Sequence, residues 1–185
     1  SLRHQPLEDL PDYYEKVAPL DGDYSDLYEL ILGIDLSPPV RRNYLFDNID
    51  IPATINYLAS QTIVHNNDHV AKNYFLYRDT YGTQRWSMQP WDLDLTFGKN
   101  YDGEGVLSDV IWADVDELPG LPIYISPSHP LFGESNHRKV DNKYNQLITA
   151  LYYEPEIRTM YDRRLRTLMD ELLVVGRYEA RIDEL

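Results

Sequence analysis

The chain contains no cysteine. That excludes disulfides, thiolate-held zinc, iron–sulfur clusters and a cysteine nucleophile, and it leaves the redox compartment unreadable. Basic residues are scarce: 17 Lys and Arg stand against 31 Asp and Glu, a formal net charge of −14. A protein that grips nucleic acid through its phosphates needs the opposite surplus. So does one drawn to anionic membrane surfaces. No apolar run approaches the ~18 residues of a spanning helix, so membrane insertion is not expected. The first residues, Ser-Leu-Arg-His-Gln-Pro, carry neither an initiator Met nor a signal-type apolar region, which predicts a chain cut from a longer protein. Internal repeats and low-complexity tracts are also missing.

What remains is a chain of 185 residues, 43% apolar and 26% charged. This is material for a single globular domain over 1–185. Its acidity suits cationic partners or a divalent metal. A short helix is expected around Pro11–Val17. Leu27, Leu30 and Ile31 recur at helical spacing in Tyr24–Gly33, with Gly33 as a C-cap and Pro38-Pro39 as a break. A second helix, capped by Asp47 or Asp50 with Pro52 in its first turn, should run to about Val64, with Ile55, Leu58, Ala59 and Thr62 on one face. Tyr74–Arg78 and Arg85–Gln89, joined by turn-forming residues Asp79–Gln84, read as a β-hairpin. Residues 99–140, with Gly103, Gly105, Gly120, Gly133, Pro119, Pro122, Pro127 and Pro130, read as a loop-rich insertion or substrate-binding segment. Helices over Asp141–Tyr152 and from Pro155 to near Gly176 close the chain. Arg158, Arg163, Arg164 and Arg166 of the last helix suit a solvated face or ion pairs. The fold class is therefore α+β, mostly α.

The chemistry concentrates in 65–98. A helix is followed by a polar loop with Asp68, then Asn73 five positions on, a hairpin, and the tight segment Asp92-Leu93-Asp94. Phosphoryl transfer asks for one carboxylate at the hydroxyl and for oxygen ligands that hold Mg²⁺ against the phosphates. Protein kinases arrange these as Asp, then Asn five residues later, then a metal-binding Asp beyond a hairpin. Asp68, Asn73 and Asp92 follow that order. Asp and Asn are hard oxygen donors suited to Mg²⁺ or Mn²⁺. If the segment is extended, Asp92 and Asp94 project to one side, where a cation relieves their repulsion.

The run Asn67-Asp68-His69-Val70-Ala71-Lys72-Asn73-Tyr74-Phe75-Leu76-Tyr77-Arg78-Asp79, with Trp86 and Pro90-Trp91-Asp92-Leu93-Asp94-Leu95-Thr96-Phe97-Gly98, resembles the CotH kinase family of spore coat protein H type. Leu147–Leu165 looks like that family's closing helices, so the resemblance spans roughly residues 20–175. It implies the C-terminal lobe of an atypical, secreted or spore-associated kinase that moves phosphate from ATP to Ser of coat proteins with Mg²⁺ or Mn²⁺. It implies Asp68 as the catalytic aspartate, Asn73 as a metal or phosphate-orienting residue, and Asp92 as metal ligand with Asp94 as substitute or second ligand. It implies an extracytoplasmic, cell-surface or spore-coat location and a Ser-containing, basic protein substrate.

Departures stand beside it. Asn66-Asn67-Asp68 replaces His-Arg-Asp, and Asp92-Leu93-Asp94 replaces Asp-Phe-Gly. No Gly-rich phosphate loop precedes them, and Lys16 is the only lysine before Lys72. These departures predict that the N-terminal lobe lies outside this chain and that the fragment alone is a poor catalyst. Two further readings stay open. One is a pseudokinase-like structural or protein-binding module. The other is a metal-dependent hydrolase using His65, Asp68 and His69, against which stands the helix end expected near Val64. His69 is expected to hydrogen-bond inside its loop, and His129 and His137 to have no catalytic part. Trp86, Trp91 and Phe97 are expected as core or hairpin packing.

Overall fold

The computed structural model describes residues 2, 4–20, 22–66, 68–70, 72–97, 100–101, 106–107 and 145–184, with residues 68, 100, 101, 106 and 107 described as backbone. A 3-10 turn at Leu7–Asp9 leads into α1 (Leu10–Tyr13). This helix stops four residues short of the expected Val17. Only Leu10 is buried in it, so no apolar stripe rewards a longer helix.

α2 (Ser25–Ile34) buries Leu30, Ile31, Gly33 and Ile34. Gly33 is not its cap, as expected from sequence; Asp35 is. Gly33 is instead a point of close approach. A Cβ there would lie 1.9 Å from Cζ of Tyr44, whose ring occupies the space. Tyr44 belongs to α3 (Val40–Asn48), a helix the periodicity did not announce, because Leu45 is its one fully buried residue. Arg41 and Arg42 at its start pair with Glu154 (3.4 Å) and Glu156.

α4 (Ile51–Ile63) matches its sequence signals. Asp50 accepts a hydrogen bond from the Ala53 N–H at 3.0 Å, and Pro52 sits in the first turn, where its missing N–H costs nothing. Ile51, Ile55, Leu58 and Ala59 are buried. Each of the three Ile and Leu side chains contributes about 1.5–3 kcal/mol.

A 3-10 turn at Asp68–Val70 leads to β1 (Tyr74–Arg78), which pairs antiparallel with β2 (Trp86–Pro90) in the register Tyr74↔Pro90, Leu76↔Met88, Arg78↔Trp86. The turn is closed by Asp79, whose carboxylate accepts from the N–H groups of Gly82 and Thr83 at 3.1 and 2.7 Å. These bonds, Thr83 foremost, hold its pKa below the usual value. The hairpin packs on α4 through Trp86 and Met88, and the Asp50 N–H donates to the Trp86 carbonyl at 2.8 Å. A second antiparallel pair joins β3 (Asn100–Tyr101) to β4 (Val106–Leu107). The rest of the expected 99–140 insertion, with His129 and His137, lies outside the described residues.

α5 (Gln146–Tyr153) begins five residues after the expected Asp141, and 141–144 lie outside the described residues. Asn145 caps it. α6 (Pro155–Leu172) lies along α4, burying Ile157, Tyr161 and Leu168, with the Tyr161 and Thr62 hydroxyls 2.9 Å apart. Arg166 pairs with Asp170, and Arg158 lies over the Tyr152 ring. The helix ends before Gly176, whose left-handed φ of 85° turns the chain into α7 (Arg177–Asp183). The architecture is α-rich with a small antiparallel sheet, as the sequence implied. Among the described residues no helix is long and apolar enough to cross a membrane.

Candidate functional site

The site is built where α4 ends. Val64 terminates the helix, and His65 takes a left-handed φ of 46° that swings the chain away from the axis. Asn66 is fully buried. Its N–H donates to the Gln61 carbonyl and its Nδ2 to Gln61 Oε1, both at 2.9 Å. This pair of hydrogen bonds to the last turn of α4 fixes where the loop starts.

His69 is fully buried too. Its Nδ1 shares a 3.2 Å hydrogen bond with the Tyr57 hydroxyl, and the two rings meet edge to face. Burial pushes the Tyr57 phenol well above its ordinary value, so it stays protonated. His69 thus bonds across to α4 through the Tyr57 hydroxyl. The zinc reading needed that imidazole as a ligand; the structure gives one of its two nitrogens another use. Asp68 heads the 3-10 turn that ends at Val70.

Asn73 and Asp92 flank the hairpin, and both are left-handed, with φ of 62° and 52°. Asn and Asp tolerate this region better than other non-glycine residues, because their short polar side chains can bond locally. At the hairpin's open end, the Trp91 N–H donates to the Asn73 carbonyl at 3.3 Å. The Phe97 N–H then donates to the Val64 carbonyl at 2.8 Å. The 91–97 segment is thus pinned at both ends to the 64–73 segment. Two backbone hydrogen bonds thus join Asn73 and Val64 to the segment that carries Asp92 and Asp94.

The left-handed turn at Asp92 interrupts the extended backbone, so the two carboxylates do not follow the same-side geometry of a strand. Asp92 and Asp94 are both exposed. The same segment carries Trp91, Leu93 and Phe97, all exposed, and the Phe75 ring lies 5.2 Å from that of Trp91. Trp86 packs in the core as expected. Phe97, 67% exposed, does not: its contribution here is the backbone bond to Val64.

Among the described residues no group of three His, Asp or Glu could hold a metal by itself. The residues named by sequence are a carboxamide and two carboxylates. That donor set suits Mg²⁺, which is commonly held by one or two carboxylates together with substrate phosphates and water. Sequence reasoning missed Tyr57, Gln61 and Asn145, because buried hydrogen-bonding partners carry no spacing signal.

The chain thus runs from α4 through the 3-10 turn and the hairpin to a loop that carries Asp92 and Asp94. The CotH kinase protein family matches residues 2–185, and the chain belongs to that family. It is 29% identical over 159 residues to the inner spore coat protein H of Bacillus subtilis (strain 168), covering 85% of this chain and 43% of that protein. The chain thus spans less than half the length of that curated relative. No solved structure matches it.

Proposed function

We propose that the chain is the C-terminal, catalytic part of an atypical protein kinase that transfers the ATP γ-phosphate to Ser of protein substrates. The observation that carries the reading is the double pinning of 91–97 onto 64–73, through Trp91 to Asn73 and Phe97 to Val64. It supports placing the acidic turn and the acidic loop on one site in a chain of this family. Asp68 would orient the Ser hydroxyl and accept its proton. Asn73 and Asp92 would hold Mg²⁺ or Mn²⁺, with Asp94 as second ligand or substitute. The bound cation would offset charge on the phosphates. The chain's own contribution is placement, since in-line transfer depends above all on geometry.

The glycine-rich loop and phosphate-binding lysine of a kinase would come from a lobe outside these residues, and the segment alone would be a poor catalyst. The net charge and the exposed Asp92 and Asp94 favour a basic, Ser-containing protein substrate and disfavour nucleic acid. By analogy with its relative we place the protein at a spore coat or cell surface. Asn66-Asn67-Asp68 in place of His-Arg-Asp supports a second reading, a pseudokinase-like binding module.

The test is transfer of labelled γ-phosphate from ATP to a Ser- and Lys-rich peptide by the full-length protein and its Asp68→Asn variant. The kinase reading expects phosphoserine, reduced on the order of 10²–10⁴-fold in the variant. Transfer at the parent rate by Asp68→Asn overturns the role of Asp68. A folded parent that transfers nothing favours the binding module.

A further inference from the structure

Asn145 stands 77 positions beyond Asp68 in sequence, and nothing in the motif points to it. It is 1% exposed. A carboxamide offers two N–H donors and two oxygen lone pairs, and Asn145 uses all four. Its Oδ1 accepts from the N–H groups of Leu147 and Ile148 at 3.1 and 3.2 Å, capping α5. Its Nδ2 donates to the Val70 carbonyl at 3.3 Å and to the Tyr74 hydroxyl at 2.9 Å.

Val70 closes the 3-10 turn that Asp68 opens, and Tyr74 directly follows Asn73. One amide therefore spans both ends of the segment between the candidate acid–base residue and the candidate metal ligand, and ties both to the start of a core helix. Capping alone would need only the oxygen.

We infer that Asn145 is a positioning residue, which sets the Asp68 turn and Asn73 in register through Val70 and Tyr74. The inference rests on the kinase reading for its effect on rate, but the clamp itself is independent of it.

The experiment uses the full-length protein. Asn145→Ser keeps a competent helix cap, since Ser ranks with Asn at that position, but cannot reach Val70 and Tyr74. Hydrogen exchange is read over residues 64–74 and, separately, over 146–153. The clamp predicts faster exchange in the first and unchanged exchange in the second. Kinetically it predicts a kcat loss on the order of 10–100-fold with the ATP KM little changed, since small misplacements of a reacting group cost that much. In an Asp68→Asn background the same substitution should cost nothing further, because the two act as one unit.

Unchanged exchange in 64–74 with unchanged kcat overturns the inference. So does faster exchange confined to 146–153, which marks a simple cap. Should Asp68→Asn transfer normally, the role of Asp68 falls, and should the parent transfer nothing, the kinase reading falls; in either case the exchange pattern alone decides the clamp. If Asn145→Ser does not fold, Tyr74→Phe removes one of the two bonds and should show the same exchange pattern in weaker form; no change in that variant overturns the inference.

Discussion

Replacing Asp92 by Gly and by Ala separates backbone geometry from chemistry. In an ordinary helix or strand, Gly is worse than Ala by roughly 0.5–1 kcal/mol, because its unfolded chain has more freedom to lose. At Asp92 the order should invert. Its φ of 52° forces a Cβ against the following carbonyl oxygen, a cost of about 1–2 kcal/mol that Gly does not incur. Subtracting the glycine entropy leaves Asp92→Gly more stable than Asp92→Ala by about 1 kcal/mol. Both variants lose the carboxylate equally, so its interactions cancel in the comparison. Urea denaturation measures the difference, which in a domain of 185 residues corresponds to a Tm gap of roughly 2–4 °C. Asn73, with φ of 62°, should show the same order. An Ala variant as stable as the Gly variant at both positions would refute the left-handed turns on which the site's geometry depends. The comparison also bears on design: for functional tests Gly is the cleaner deletion of the Asp92 carboxylate.

Two further predictions follow from packing. Gly33→Ala gains about 1 kcal/mol of helix propensity, but its Cβ would sit within 2.4 Å of three Tyr44 ring atoms. Displacing that ring, whose hydroxyl donates to the Glu29 carbonyl at 3.1 Å, should cost about 1–3 kcal/mol from overpacking and roughly 1 kcal/mol from the bond. A net loss of roughly 1–3 kcal/mol is expected in urea titration, and a stabilised variant would contradict the contact. Burial raises the phenols of Tyr57 and Tyr74 above their ordinary value of 10.0. A folded pKa above the unfolded one gives stability that is complete below the unfolded pKa and lost as pH rises toward the folded one. Stability should therefore begin to fall near pH 10, by up to about 1.4 kcal/mol per pH unit for each tyrosine. Urea midpoints that stay flat from about pH 8 to about pH 11 would contradict this.

The parts of the fold that were legible are those with local signals. Asp50, Pro52 and the apolar face of α4 marked a helix start, and the Tyr74–Arg78 and Trp86–Pro90 runs marked a hairpin correct to within a residue. α3 was not legible, because a single Leu45 is all it buries fully and its remaining residues give no stripe. Gly33 looked like a terminator, and only the tertiary approach of Tyr44 shows why it is glycine. At the site, the order Asp68, Asn73, Asp92 was readable as a motif, but its assembly was not. The bonds from Trp91 to Asn73 and from Phe97 to Val64 are backbone bonds, which any residue types could make, so composition and spacing carry no trace of them. His69 offered a metal-like spacing with His65, and only the buried Tyr57 hydroxyl reveals its place in the packing.

We propose above that 64–73 and 91–97 take part in a metal-dependent nucleotide site. Calorimetric titration of the full-length protein with ATP tests it most directly, with and without Mg²⁺, using Asp92→Gly as the control that preserves the turn. The account predicts binding that requires the cation and disappears in Asp92→Gly while the fold persists. Binding of equal strength in that variant, or in the presence of chelator, would contradict it.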